Sequence, residues 1–163
     1  MAMKFGADHV FLSSGEDQLI EDIAGYMEME LLTPDKGYKW SISGVDGIID
    51  NIASAKTLEI GAKILKPQSR LVFPGVNTPK RCEMTAHYFK EIEAIGSNAF
   101  SIEHFKGKKT HAFEFFLDFL AENIIDTTPL VTHKFSLERY QDAFGVMANK
   151  KESNAVKVVF DFT

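Results

Sequence analysis

The chain has 163 residues, of which 45% are hydrophobic and 25% charged, with 18 basic against 23 acidic side chains and a net charge of −5. A chain of this size buries roughly two-thirds of its unfolded surface and can form a real core, and so ordinary a mixture excludes disordered and fibrous classes. No apolar run approaches the ~20 residues of a membrane span, and the acidic balance argues against nucleic acid, whose protein footprint is basic and clustered.

Met1 to Gly6 lacks the apolar stretch of a secretory leader. His9-Val10-Phe11-Leu12 predicts a short strand closed by Ser13-Ser14-Gly15. A helix follows, with Ser14 as N-cap, Asp17 three residues on, and Leu19, Ile20, Ile23, Tyr26 and Met27 at helical spacing. Thr33-Pro34-Asp35-Lys36-Gly37 breaks it. Tyr38 to Ser43 has no clear period and reads as an irregular connection, with Trp40 a packing residue. Val45-Asp46-Gly47-Ile48-Ile49-Asp50 is a strand pattern ending in an acid before Asn51. Ser54 caps a helix with Leu58, Ala62 and Leu65 along one side, ended by Lys66-Pro67. Arg70-Leu71-Val72-Phe73 then forms a buried-type strand that stops at Pro74-Gly75.

Cys82 is the single cysteine, so no intramolecular disulfide forms and a reducing, cytoplasmic setting is expected. Its neighbour Arg81 invites a lowered thiol pKa, but no base is placed beside it. Ile92 to Ser97 is a further short strand with a glycine at its end. Phe113, Phe116, Leu117 and Leu120 predict an amphipathic helix, widened by Phe115 and Phe119 and read as core. Leu130 to Phe135 is a strand leading into a helix capped by Ser136, with Leu137, Tyr140, Ala143, Phe144 and Met147 on its buried face. Val156 to Phe162 closes the chain as a strand. The groups Lys106, Lys108, Lys109 and Lys150, Lys151 are flanked by acids and read as solvated charge. His9, His87, His104, His111 and His133 show no metal-ligand spacing, and there is no repeat.

Strands alternating with helices, the strands short and apolar, indicate an α/β fold with a mainly parallel sheet. Ligands of such sheets bind beyond the carboxyl ends of the strands. Those ends are Asp50-Asn51, Pro74-Gly75-Val76 and Gly96-Ser97-Asn98, all small or polar, where glycine lets backbone approach a flat ligand.

The order of these pieces resembles the C-terminal half of the medium-chain dehydrogenase/reductase superfamily, the zinc-type alcohol and polyol dehydrogenases. The resemblance spans nearly the whole chain. It rests on Lys4 to Val10, Val45 to Asp50, Leu65-Lys66-Pro67 with Arg70-Leu71-Val72 and Pro74-Gly75-Val76, and Ile95-Gly96-Ser97. It continues through Leu130 to His133, Phe135 to Glu138, Ala143-Phe144 and Val156 to Val159.

The resemblance implies a partial Rossmann-like, doubly wound parallel sheet. His9 to Leu12 would be strand three of the family's order 3-2-1-4-5-6 and the next three strands four, five and six, while strands one and two have no counterpart. The glycine-rich loop is missing with them, for no G-x-G occurs in the sequence. Residues 1–128 would be the partial dinucleotide-binding domain, with an insertion near 29–43, and 129–163 the segment that in the family returns to the catalytic domain. The implied cofactor is NAD or NADP, met by Asn51 and Ile52, by the backbone of Pro74, Gly75 and Val76 and of Ser97, Asn98 and Ala99, and by Lys157, which replaces the Arg of some relatives near the pyrophosphate. Zinc is expected only in the catalytic domain, which has no counterpart here, so no catalytic residue is assigned.

The implied activity is hydride transfer between an alcohol or polyol and nicotinamide, with a small-molecule alcohol or carbonyl substrate and no turnover by these residues alone. Loss of two strands would bare sheet edges, at a cost on the order of 1–3 kcal/mol per buried unpaired group, so the N-terminal segment moves against strand four, a homodimer partner or complementing chain fills the gap, or these residues are a fragment of a longer polypeptide. A non-catalytic Rossmann-like scaffold or dimerisation module is the competing reading. A methyltransferase-like α/β domain, suggested by Leu65-Lys66-Pro67 with Arg70-Leu71-Val72, is a third.

Overall fold

The computed structural model describes residues 1–12, 15–33, 38–77, 80–98 and 100–162, so Ser14, expected to cap the first helix, lies outside the described residues. The chain forms two compact units, Met1–Ala99 and Phe100–Thr163. Among the described residues no helix is long and apolar enough to cross a membrane.

In the first unit α1 (Glu16–Tyr26) opens with Glu16 and Asp17, whose charges suit the positive end of a helix. Its Ile20 and Ala24 form the main core with Met29, Ile60 and Ile64, and Leu19, Ile23, Leu31, Val45 and Ile48 pack around them. Where an irregular connection was expected, β1 (Leu31–Leu32) and β2 (Trp40–Ser41) make a short antiparallel ribbon. Trp40 is a packing residue there, its ring edge-on to Phe89 at 6.1 Å.

Next come β3 (Val45–Ile49), α2 (Ala55–Ile64), β4 (Leu65–Phe73), α3 (Thr85–Phe89) and β5 (Glu93–Gly96). The three strands form the expected parallel sheet in the order β3-β4-β5. Ser54 caps α2 as its sequence indicates: Ser54 Oγ accepts from Thr57 N at 3.1 Å and Thr57 Oγ1 accepts from Ser54 N at 3.0 Å, a capping box that satisfies two orphan donors. α2 ends at Ile64, just ahead of Lys66-Pro67 as expected. Leu65 passes directly from α2 into β4, fully buried, and Pro67 falls in the irregular stretch of β4 where the register against β3 shifts. The far end of α2 is held by Lys90, 1% exposed, whose ammonium donates to the carbonyls of Ala62 (2.8 Å), Lys63 (2.8 Å) and Leu65 (2.6 Å). These are carbonyls that a helix terminus otherwise leaves without partners.

The strand expected at His9 to Leu12 does not form. The His9 ring instead stacks on Tyr26 at 4.3 Å and Phe11 meets Tyr26 edge-on at 5.6 Å. Aromatic packing against α1, in place of a ladder, decides where the segment lies. It has moved to β3 without pairing to it, since Asp8, His9 and Phe11 line one groove with Val45, Gly47 and Ile48.

The second unit opens with a hairpin of β6 (Ile102–Phe105) and β7 (Lys108–His111). Lys106 and Gly107, at φ 48° and 78°, form its two-residue turn, the left-handed geometry that matches strand twist. His104 and His111 therefore sit on paired strands, not in a loop. In α4 (Ala112–Ala121) the inward face is Phe115 and Phe119, which meet Phe105 edge-on at 5.8 and 5.7 Å. Phe113, Phe116 and Leu117, expected to be core, are exposed. The hairpin decides this, because Phe105 offers an aromatic partner on one side of the helix only.

β8 (Val131–Phe135) and β9 (Lys157–Phe160) are parallel, joined through α5 (Tyr140–Ala148) and α6 (Lys150–Ser153). Ala143 is the buried residue of α5, whereas Leu137, Tyr140, Phe144 and Met147 are exposed. Ser136 precedes a 3-10 turn, Leu137–Arg139, and makes no side-chain cap bond to it.

Candidate functional site

The carboxyl end of the three-stranded sheet is organised by one buried acid. Asp50 N donates to Val72 O at 2.8 Å and so carries the ladder one residue past β3. Its side chain, 7% exposed, turns back, and Oδ1 accepts from Ile52 N at 2.9 Å and Ala53 N at 3.0 Å. This is the turn an aspartate makes with backbone two and three residues on, and it holds Ala53 at φ 52°. Asp50 Oδ2 is buried and has no hydrogen-bond partner among the described residues.

Gly75 packs directly on this turn. A Cβ there would lie 2.4 Å from Asn51 O and 2.8 Å from Ile52 N, so no side chain fits. Ser97 N donates to Phe73 O at 3.2 Å, which sets Ser97 beside Pro74. Asn51, Ile52, Pro74, Gly75 and Ser97 thus converge at one end of the sheet. Val76 projects from it, 95% exposed, and Asn98 is exposed after β5. Ala99 lies outside the described residues. Lys157 opens β9 in the second unit, where its carbonyl accepts from Thr132 Oγ1 at 3.2 Å.

The convergent end offers backbone N–H and C=O groups and small side chains. That set can hydrogen-bond and orient a flat, neutral amide-bearing ring. The sequence holds no glycine-rich turn of the kind that receives a pyrophosphate. Sequence reasoning set Asp50 at a strand end but gave its side chain no role. Its signal was present: an acid directly at a strand end, followed by two residues with free N–H groups.

A second polar cluster gathers on the helical side. Lys63 Nζ lies 4.2 Å over the Tyr38 ring and pairs with Glu16. Burial, then the charges of Glu83, Glu59 and Glu16, push the Tyr38 phenol up to about 12. Burial and the same Glu59 and Glu83 raise the Cys82 thiol, which overrules the lowering expected from Arg81 and leaves it protonated at neutral pH. His87 is pushed down by burial and stays neutral, its Nδ1 buried without a partner. Among the described residues no three histidine, cysteine or acidic side chains gather where they could hold a metal ion.

Solved structures supply the comparison. The chain matches the zinc-dependent alcohol dehydrogenase 2 from Streptococcus pneumonia at TM-score 0.70 and 21% identity, over 99% of this chain and 41% of that one. It matches a short chain alcohol dehydrogenase from E. coli, complexed with the cofactor NADH, at TM-score 0.70 and 19% identity, over 99% and 40%. The chain shares their fold. A galactitol-1-phosphate dehydrogenase from Escherichia coli matches at TM-score 0.58 and 20% identity, over 91% of this chain and 39% of that one. The chain therefore spans about two-fifths of the length of these structures. No protein-family model and no curated protein matches it.

Proposed function

We propose that these residues form the nicotinamide side of the nucleotide-binding domain of a zinc-type, NAD- or NADP-dependent alcohol or polyol dehydrogenase. The observation that carries the reading is the convergence of the Asn51-Ile52 turn, Gly75 and Ser97 at the carboxyl end of a parallel sheet whose fold is shared with dehydrogenases. When bound, the dinucleotide supplies the hydride acceptor, and a zinc ion held in the catalytic portion would polarise the alcohol oxygen. The residues here orient the ring. Backbone at Pro74, Gly75 and Val76 and at Ser97, Asn98 and Ala99 binds the carboxamide, and Asn51 and Ile52 line the ring. Lys157 meets the pyrophosphate with a point charge that lacks the arginine fork. Residues 129–163 return to the catalytic portion, in a cytoplasmic enzyme acting on a small alcohol or carbonyl.

Titration with NADH, followed by nicotinamide fluorescence, tests the reading. Saturable binding is expected, lost in Gly75→Ala, whose new methyl displaces the Asn51 turn. Alcohol oxidation by this chain alone, at the rate of complete dehydrogenases, would overturn the view that the machinery is partial. A second reading, a non-catalytic scaffold, requires that NADH not bind at all.

A further inference from the structure

Asp50 is a buried acid whose charge the proposed function leaves unused. It is 7% exposed, and among the described residues it forms no ion pair with a basic side chain. Its two oxygens are treated differently. Oδ1 accepts from Ile52 N at 2.9 Å and Ala53 N at 3.0 Å, whereas Oδ2 is closed to solvent and has no donor among the described residues. The start of α2 does not complete the compensation, because Ser54 and Thr57 cap it through each other. A carboxylate half met by donors and shut away from water keeps much of its field, since a protein interior screens a charge far less than water does.

That field acts on the turn the proposed function sets against the nicotinamide ring. Oδ1 lies one hydrogen bond behind Ile52, and Gly75 presses on the far side of the same turn, where a Cβ would meet Asn51 O at 2.4 Å. The carboxylate is therefore held in place. The two redox forms of a nicotinamide dinucleotide share their amide and differ in ring charge: the oxidised ring is a delocalised cation and the reduced ring is neutral. Left to the backbone groups alone, this end of the sheet suits a neutral ring. We propose that Asp50 reverses that balance and makes the site select the oxidised dinucleotide over the reduced one. The proposal rests on the nicotinamide reading and adds to it a specificity-determining residue and the sign of its effect. A charge beside a cofactor ring is one of the means by which a protein tunes the cofactor. Tighter binding of the oxidised form favours uptake of NAD and release of NADH, the direction of alcohol oxidation.

Calorimetric titration of the full chain with NAD, and separately with NADH, tests this. Wild type should bind NAD about three- to tenfold more tightly, the order of effect of a charge partly offset by its own donors. Asp50→Asn keeps an acceptor oxygen for Ile52 N and Ala53 N and removes the charge, so NADH should bind at least as tightly as NAD. Asp50→Glu keeps the charge and disturbs the turn; it should weaken both forms and leave the preference for NAD in place. Equal weakening of both forms in Asp50→Asn would mean that the acid only shapes the turn, and overturns the proposal. So does wild-type protein that binds NADH as tightly as NAD or more tightly, a comparison that needs no variant to fold. Binding of neither form overturns the nicotinamide reading itself, and the proposal with it.

Discussion

The two faces of the β3-β4-β5 sheet differ sharply although the same strands build both. Ile48 and Leu71 stand opposite each other on one face, Ile48 packed on the core cluster and Leu71 fully buried. Ile49, Val72 and Ile95 form the adjacent row on the other face, where Ile49 is 71% exposed and Ile95 is also exposed. Side chains alternate along a strand, so neighbouring residues of like hydrophobicity have opposite fates. A doubly wound sheet covers both faces, and this one is covered on the side of α1 and α2. Hydrophobicity assigns these residues to a sheet; only the presence of a covering layer makes them core.

The strongest break of that contrast is Leu71→Ala. Truncating a fully buried leucine costs about 2–5 kcal/mol through lost transfer energy and the cavity left behind, and a urea titration should show the midpoint falling with little change in slope. A fall no larger than that of a surface substitution would mean that the covered face is not the stabilising one.

Lys90→Met comes next, because it removes the donor from three carbonyls at the end of α2 while keeping the aliphatic stem. The expected loss is on the order of 1–3 kcal/mol. A pH signature distinguishes it from simple packing damage. Burial pushes the Lys90 ammonium down to about 8, from an ordinary 10.5. Between those values the unfolded chain binds more protons than the folded one, so this group makes stability rise with pH from about 8 toward 10.5. The difference between wild type and Lys90→Met, measured by denaturation across that window, should widen as pH rises. A constant difference would show that Lys90 carries the same charge folded and unfolded.

Ser54→Ala is a smaller effect on the same covered side. It removes one half of the capping box and should cost about 1 kcal/mol, with Ser54→Gly closer to wild type.

What the sequence revealed divides along the same line as the two faces. The strand at Val45 to Ile49 and the Ser54 cap were legible because they depend on local period and on one side chain's chemistry. Gly75 was legible as a turn, but its contact with Asn51 was not, since that needs the two strand ends side by side. The hairpin from Ile102 to His111 was hidden by its lysines and histidines, which break any apolar alternation and leave only the Lys106-Gly107 turn as a signal. Phe113 and Phe116 were assigned to the core because a phenylalanine stripe has no direction of its own; Phe105 on the preceding hairpin meets Phe115 and Phe119 instead. His9 to Leu12 shows the same dependence, for its strand-like sequence packs through its rings on Tyr26 of α1.

The smallest effect is the most discriminating test of the bare face. Ile49→Ser exchanges an apolar side chain for a polar one at a position where water already reaches it. If that face is open in the isolated chain, the change should shift stability by less than about 0.5 kcal/mol, the range of surface substitutions away from special features. Urea denaturation of Ile49→Ser beside wild type measures that shift. A cost of several kcal/mol would place Ile49 in a packed interior and remove the distinction between the two faces.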